Sequence, residues 1–172
     1  TTPAGKVLLQ VWVTLASLGS LTKQPFDSAV SAMANIVSYW KLGETAGTTA
    51  ADTLGSNTGT YINTPTLGAT GIVANPSTDT AVTFNGTNQI VSITGTSTLQ
   101  STRPTAWAWI SLPTTPGSEA SLWTFADTCY GLRITTSRTA RAFLWNGSTN
   151  TFASGSVVIP TNTPTLIAAT YD

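Results

Sequence analysis

Short stretches of alternating apolar and polar residues, separated by Gly, Pro and Asn-Gly pairs, recur along this chain from Tyr39 onward. Successive side chains of a β-strand point to opposite faces, so a period of two is typical of strands with one buried face. In residues 106–112, for example, Trp107 and Trp109 fall on one face. Several such strands separated by turn residues predict an all-β protein built as an antiparallel sandwich.

Two segments predict β-hairpins. Residues 81–93 carry Asn85-Gly86 between two apolar runs, and residues 140–152 carry Asn146-Gly147 in the same position. Asn-Gly readily adopts the positive φ angles of a type I′ turn. We therefore expect the two strands that flank each pair to be hydrogen-bonded to each other.

Residues 26–38 predict a short helix ahead of the strands. Asp27 or Ser28 can serve as its N-cap. Four apolar residues then recur at helical spacing and define one stripe: Val30, Met33, Ala34 and Val37. We expect this stripe to pack against the sheets.

Residues 1–25 predict an extended apolar arm. Leu9, Val11, Val13 and Leu15 alternate with the residues between them, among which is Trp12. The run is too short and too interrupted by polar residues to span a membrane. A lysine before an apolar run also faintly resembles a secretory signal, which is the competing interpretation. If the segment is an arm, its apolar face must be buried, either against a partner subunit or against the protein's own sheet.

Low charge restricts the functions open to this chain. Only 8% of the residues are charged, seven basic and seven acidic, and there is no histidine. Such a surface has no broad basic field for a phosphate backbone, so we expect no nucleic-acid partner. Without histidine, Ser-His and Cys-His nucleophile pairs are excluded. A net charge near zero also favours association with neighbours.

Several pieces, in order and spacing, resemble the opening half of a laminin-G-like (concanavalin-A-like) jelly roll. They are Tyr39–Glu44, residues 49–55, Gly59–Tyr61 and residues 81–87. The type is the one found in bacterial secreted proteins and in phage virion proteins. The resemblance implies that residues 39–172 form the N-terminal part of such a domain.

Residues 165–172 resemble a strand after which relatives of that type continue with further strands. We therefore expect a sandwich that is incomplete at its C-terminus. Either the chain is a fragment of a longer polypeptide, or a neighbouring molecule supplies the remaining strands.

The resemblance raises the question of glycosidase activity, which requires two carboxyl groups beside the scissile bond. The acidic residues here are isolated in the sequence, so we expect no catalytic residues and no enzyme. Glu44 and Asp52 occupy positions that are structural in the family. Some relatives bind calcium in loops, and the weak candidates here are Asp79 and Asp127, although each is better explained as a turn cap. We expect no other cofactor.

Exposed aromatic residues are the remaining candidates for a site. Carbohydrate modules stack sugar rings on Trp or Tyr and orient hydroxyl groups with Asn and Arg. Trp145 and Trp123 lie beside predicted turns, and Arg141 and Asn146 can supply polar contacts. Arg133 and Arg138 fall close to Arg141 in the sequence. Trp40, Trp107 and Trp109 match core positions instead.

These patterns lead to one expected function and one alternative. The first is a non-catalytic phage virion component (a decoration, fibre or tail protein) at the virion surface. It would contact other virion proteins or copies of itself through Val11, Trp12, Val13 and Leu15, with a cell-surface glycan as a further partner. The alternative is an extracellular carbohydrate-binding module of a bacterial secreted protein.

Overall fold

The computed structural model describes residues 7–8, 30–72, 80–99, 103–125, 130–145 and 148–171, and the structural description is confined to these ranges. Within them the chain is all-β, with short strands, one 3₁₀ turn at Ser97–Leu99 and one helical turn at residues 30–32. The strands in chain order are β1 (Val7–Leu8), β2 (Thr49–Ala50), β3 (Gly59–Ile62), β4 (Thr66–Thr70), β5 (Thr80–Thr83), β6 (Ile90–Ile93), β7 (Thr105–Ile110), β8 (Ala120–Phe125), β9 (Tyr130–Ile134), β10 (Ala140–Trp145), β11 (Asn150–Ser154) and β12 (Thr165–Tyr171).

Contacts divide the chain into two compact units. The C-terminal unit comprises Thr1–Thr14 with Gln100–Asp172, and the N-terminal unit comprises Leu15–Leu99. The boundary falls inside the segment 39–172 for which the resemblance implies one jelly roll. The paired strands of both units run antiparallel, which confirms the expected all-β, antiparallel class.

The C-terminal unit packs two sheets against each other. One has the strand order β1-β12-β7 and the other β11-β10-β9-β8. Leu132 and Ile134 of β9 are fully buried and lie in one cluster with Ile167 and Ala169 of β12. Burying an aliphatic side chain of this size stabilises the fold by about 1.5–3 kcal/mol. The alternation visible in the sequence therefore turns one face of each sheet towards a shared core.

The N-terminal unit contains two smaller sheets, β2-β3-β6 and β4-β5. In β3, Gly59 and Tyr61 are buried whereas Thr60 and Ile62 are exposed, as expected for a strand with one covered face. Trp40 forms an isolated bridge with Asp52 nearby in the same unit. The segment from Trp40 to Ile62 therefore has one buried face within this unit.

The hairpin predicted for residues 81–93 is wrong. β5 pairs with β4 and β6 pairs with β3, so the two strands that flank Asn85-Gly86 belong to different sheets. Gly86 has a φ of 69°, but Asn85 is not among the residues with positive φ, and a type I′ turn needs both. Instead Asn85 Oδ1 accepts hydrogen bonds from the N–H groups of Thr87 and Asn88, at 2.9 and 3.2 Å. The pair builds a side-chain-capped loop.

The hairpin predicted for residues 140–152 is confirmed. β10 and β11 pair antiparallel, with Phe143 opposite Phe152 and Trp145 opposite Asn150. The predicted turn residues Asn146 and Gly147 lie outside the described residues. β10 and β11, which flank these two residues, nevertheless pair with each other as expected.

The helix predicted for residues 26–38 ends earlier than expected. Of the described residues in this segment only 30–32 are helical, and Asn35 adopts a left-handed φ of 63° that terminates the turn. Val30 is buried, but Met33 and Val37 are 56% and 46% exposed. The expected apolar stripe is therefore wrong beyond Val30, because the chain leaves the helix before the stripe is complete.

Part of the predicted arm joins the protein's own sheet. Val7 and Leu8 form β1, opposite Tyr171 and Thr170 of β12. For these two residues the partner strand is the protein's own β12. The other arm positions, Val11, Trp12, Val13 and Leu15, lie outside the described residues.

Candidate binding surface

The outer face of the four-stranded sheet carries an unusual set of side chains. Along β10, Ala140, Ala142 and Leu144 pack into the core, so Arg141, Phe143 and Trp145 point to the opposite face. The register with β11 places Phe152 beside Phe143 on this face. The register with β9 places Arg133 beside Arg141.

Phe143 lies flat on the sheet because its cross-strand neighbour is a glycine. A Cβ atom on Gly131 would lie 2.6 Å from Phe143 Cε1, a distance that real side chains do not adopt. The guanidinium carbon of Arg133 lies 4.3 Å from the centre of the Phe143 ring. Phe143 is therefore only 5% exposed although it points outward. It acts as a buried support for the residues around it.

Phe152 and Trp145 remain accessible on the same face. They are 49% and 38% exposed, respectively. The guanidinium carbon of Arg141 lies 5.5 Å from the Phe152 ring centre, within the range of a cation–π interaction. An exposed aromatic ring next to a guanidinium group offers one apolar contact and several hydrogen-bond donors together.

Glu119 connects the two arginines. Its carboxylate lies 3.6 Å from Arg133 Nη1 and also accepts a hydrogen bond from Arg141 Nη1. Arg141 Nε donates to Ser154 Oγ at 3.2 Å. These contacts fix the orientation of Arg141, whose five donors are otherwise free to rotate with a long side chain. We call the set Glu119, Arg133, Arg141, Phe143, Trp145 and Phe152 the aromatic–arginine face.

The structure brings together part of the site expected from the sequence. Trp145 and Arg141 share the aromatic–arginine face, as their spacing in β10 requires. Arg138 is not part of it, because its Nη1 donates to the carbonyl of Ile159 at 3.2 Å. Asn146 lies outside the described residues.

Trp123 is a correction. We expected it to be exposed, but it is half-buried and packs against the core. Its ring meets Tyr130 and Tyr171 edge-on, with ring centres 5.6 and 6.2 Å apart. The cause is an irregularity in β8 between Ser121 and Trp123, which shifts the register against β9. Trp123 is therefore a core residue and not part of the binding surface.

Three members of the aromatic–arginine face were not among the expected site residues. Phe143 and Phe152 could have been found, because alternation and the predicted hairpin place them beside Arg141 and Trp145. Glu119 precedes β8 and carries no such signal. Only the tertiary structure brings its carboxylate to the arginines.

The structural role expected for Asp52 is confirmed. Its two carboxylate oxygens accept hydrogen bonds from backbone N–H groups, including Tyr39 at 2.9 Å, Gly55 at 2.9 Å and Asn57 at 3.0 Å. Burial opposes ionisation of this carboxyl, but the N–H donors outweigh it and hold the Asp52 pKa below its usual value. The ionised side chain thereby closes its own loop.

Glu44 is likewise structural. Its carboxylate accepts hydrogen bonds from the N–H of Ala51 at 2.8 Å and from the hydroxyl of Tyr61 at 2.6 Å. Burial, together with this carboxylate, raises the pKa of Tyr61 above its usual value. Both acidic residues that the resemblance implied to be structural thus hold the loops around β3.

The described residues contain no group of three or more Asp, Glu, Cys or His side chains arranged to hold a metal ion. The weak calcium candidates Asp79 and Asp127, together with the single cysteine, Cys129, lie outside those residues. No helix in the described ranges is long and apolar enough to cross a membrane. Comparisons with protein-family models, with curated proteins and with solved structures found no match to this chain.

Proposed function

We propose that this protein is a non-catalytic structural or attachment component of a phage virion, such as a decoration, fibre or tail protein. In this proposal its β-sheets form a laminin-G-like module at the virion surface. The N-terminal arm contacts other virion proteins or further copies of the chain. The observation that carries the proposal is an accessible aromatic–arginine face on a four-stranded sheet, in a chain whose charges cancel.

A sheet is a suitable support for an attachment surface. Phe143 is clamped between Gly131 and Arg133, and Arg141 is held by Glu119 and Ser154. Contact residues fixed in this way lose little conformational entropy on binding. Low charge favours close packing in a lattice, since few charged groups have to be desolvated or paired.

The proposal is tested on particles purified from cells that produce this chain. Quantitative mass spectrometry is expected to find many copies per particle, and immunogold labelling should place them on the particle exterior. Absence of the chain from purified particles would contradict the proposal. Cleavage of glycans by the purified protein would contradict its non-catalytic part.

A second candidate is a secreted carbohydrate-binding module, and one specific observation favours it. The 38% exposed Trp145 and the 49% exposed Phe152 lie on the face that carries the oriented guanidinium of Arg141. A sugar ring has an apolar face that stacks on aromatics and hydroxyl groups that accept from arginine. The aromatic–arginine face offers both within a short distance.

Titration with a panel of glycans tests this candidate. Binding should shift the tryptophan fluorescence of the native protein, and Trp145→Ala should weaken binding about two- to tenfold, since loss of a stacked ring costs about 0.5–1.5 kcal/mol. Val157→Ala is the matched control, because Val157 is 52% exposed and lies outside this face. Equal weakening by both variants, or unchanged binding to Trp145→Ala, would exclude the face as the glycan site.

A further inference from the structure

The two arginines of the aromatic–arginine face lie directly opposite each other. The register of β9 and β10 pairs Arg133 with Arg141. Ser121 of β8 and Ser154 of β11 extend the same row to both sides. Like charges directly opposite each other in a sheet oppose strand pairing. A chain with only seven basic residues nevertheless places two of them in this position. An anion bound between them would relieve the repulsion.

One carboxylate serves both guanidinium groups. Within the described ranges Glu119 is the acidic residue that pairs with either arginine. Among these three side chains two positive charges face one negative charge, so one positive charge is uncompensated. All three are about one-third exposed. A ligand from solution can therefore reach them.

Arg133 makes less use of its donors than Arg141 does. Its Nη1 lies 3.6 Å from the carboxylate of Glu119, which is an ion-pair distance but too long for a hydrogen bond. Its Nε is buried and has no hydrogen-bond partner among the described residues, whereas buried polar groups nearly always have one. Stacking on Phe143 holds this guanidinium in place instead. Its terminal N–H groups are therefore available to an acceptor on a ligand.

The neighbouring aromatic ring restricts which anion fits. The guanidinium carbon of Arg141 lies 5.5 Å from the centre of the Phe152 ring, which is 49% exposed. A ligand that stacks on this ring therefore lies beside the guanidinium groups. In a uronic acid the carboxyl group is bonded directly to a sugar ring, so the stacking surface and the anion are rigidly joined at short range. The carboxylate of an acidic peptide is carried on a flexible side chain, which loses conformational entropy when it is ordered.

We propose that the aromatic–arginine face binds an acidic glycan through a uronic acid residue. The sugar ring stacks on Phe152, and its carboxylate accepts charge-assisted hydrogen bonds from Arg133 and Arg141. Trp145, on the same face and 38% exposed, supports the adjoining sugar. This inference rests on the carbohydrate-binding candidate and adds to it the class of sugar.

Calorimetric titration of the native protein with acidic trisaccharides and their methyl esters tests the proposal. The ligands are trisaccharides of galacturonic, mannuronic and guluronic acid. Each ester retains the sugar rings but carries no charge, so the comparison isolates the contribution of the carboxylates. At least one acid should bind about tenfold or more tightly than its ester, since hydrogen bonds between charged groups are the strong ones.

Arg133→Gln locates the carboxylate on this face. It should weaken binding of the acid about tenfold and leave binding of the ester unchanged. A general loss of structure would weaken both forms, so the ratio of the two affinities identifies the role of the charge. Arg138→Gln is the matched control, because Arg138 bonds to the carbonyl of Ile159 and is not part of this face. The preference for the acid should remain in that variant.

Phe152→Ala separates stacking from charge. It should weaken binding of the acid and of the ester about two- to tenfold each, because both forms stack on the ring. The ratio of their affinities should stay the same. An unchanged affinity of both forms would show that no sugar ring stacks at this position, which contradicts the proposed geometry.

Equal binding of the acids and their esters would overturn the proposal and leave the carbohydrate-binding candidate in place. Failure of every acid and every ester to bind would overturn both. A preference for the acid that Arg133→Gln leaves unchanged would place the anion elsewhere on the protein. Equal affinity for a glutamate tripeptide would show that the face recognises charge without a sugar ring, and each of these two results also overturns the proposal.

Discussion

At the scale of single residues, Asp52 shows how one side chain can fix a loop. Besides Tyr39, Gly55 and Asn57, its carboxylate accepts from Leu54 N at 3.3 Å. A neutral amide of the same size has one acceptor oxygen and an NH₂ group that repels an N–H donor. The carboxylate is therefore required for its charge and for its second oxygen.

We predict that Asp52→Asn lowers the free energy of unfolding by about 1–3 kcal/mol at pH 7, because its backbone N–H donors, of which those of Tyr39 and Asn57 are part-buried, lose an acceptor oxygen. The folded pKa of Asp52 lies below its usual value. Its contribution is therefore complete above the unfolded pKa and is lost as the pH falls through the folded pKa. Urea unfolding at neutral and acidic pH measures the free energy of unfolding of both proteins. The difference between native protein and variant should shrink below about pH 4.

Glu119→Gln is the control for this prediction, since it removes another carboxylate. Its ion pairs with Arg133 and Arg141 are about one-third exposed. Such pairs contribute about 0–1 kcal/mol, so the unfolding free energy should change little. If Asp52→Asn lowers the free energy of unfolding by the same amount at every pH, the charge of the carboxylate is not the cause of the destabilisation.

At the scale of elements, the β9–β10 pair depends on Gly131. Because Gly131 has no side chain, the Phe143 ring has room to pack against it. The carbonyl of Gly131 also accepts a hydrogen bond from the buried Tyr171 hydroxyl at 2.6 Å. Burial raises the pKa of Tyr171 to about 12. One glycine thus serves both faces of the sheet, the outer through Phe143 and the inner through Tyr171.

Gly131→Ala is predicted to destabilise the protein by about 3 kcal/mol, because overpacking forces neighbouring atoms to move. The added methyl group would lie 2.6 Å from Trp123 O, a backbone atom, as well as against the Phe143 ring. Gly117→Ala is the matched control, since nothing lies within 4 Å of its added Cβ. Thermal unfolding of both variants compares their midpoint temperatures. Equal midpoints would refute the packing argument.

At the scale of the whole molecule, low charge is the dominant property. The charges of the seven basic and seven acidic residues cancel, and the described ion pairs centre on Glu119. Stability rests instead on apolar packing between sheets and on short hydrogen bonds, including those to the carboxylates of Asp52 and Glu44. Salt does not screen apolar packing, and it screens contacts at hydrogen-bond distance much less than interactions between charges a Debye length apart.

The unfolding midpoint should therefore be nearly independent of ionic strength from about 20 to 300 mM NaCl, a range over which the Debye length falls several-fold. Thermal unfolding followed by circular dichroism measures this. A shift of more than about 4 °C, equivalent to roughly 1–2 kcal/mol for a chain of this size, would indicate an electrostatic contribution that the described residues do not account for.

The aromatic–arginine face shows how far sequence reasoning reaches into a site. Arg141 and Trp145 could be assigned to one face because strand side chains alternate without reference to the rest of the fold. The same rule places Trp123 on the face of Ser121, and it fails there because an irregularity in β8 shifts the register. Such irregularities arise from pairing with another strand, so alternation within one strand does not reveal them.

Local patterns alone determined the all-β class and the β10–β11 hairpin, since each depends on nearby residues, whereas the loop-fixing roles of Glu44 and Asp52 were expected only from the family resemblance. The partners of β5 and β6, the early end of the helical turn and the position of Glu119 were decided only by tertiary structure. Asn85-Gly86 illustrates the reason. A turn-forming pair favours a change of direction, but which strands then pair is decided by the side chains that each strand can bury.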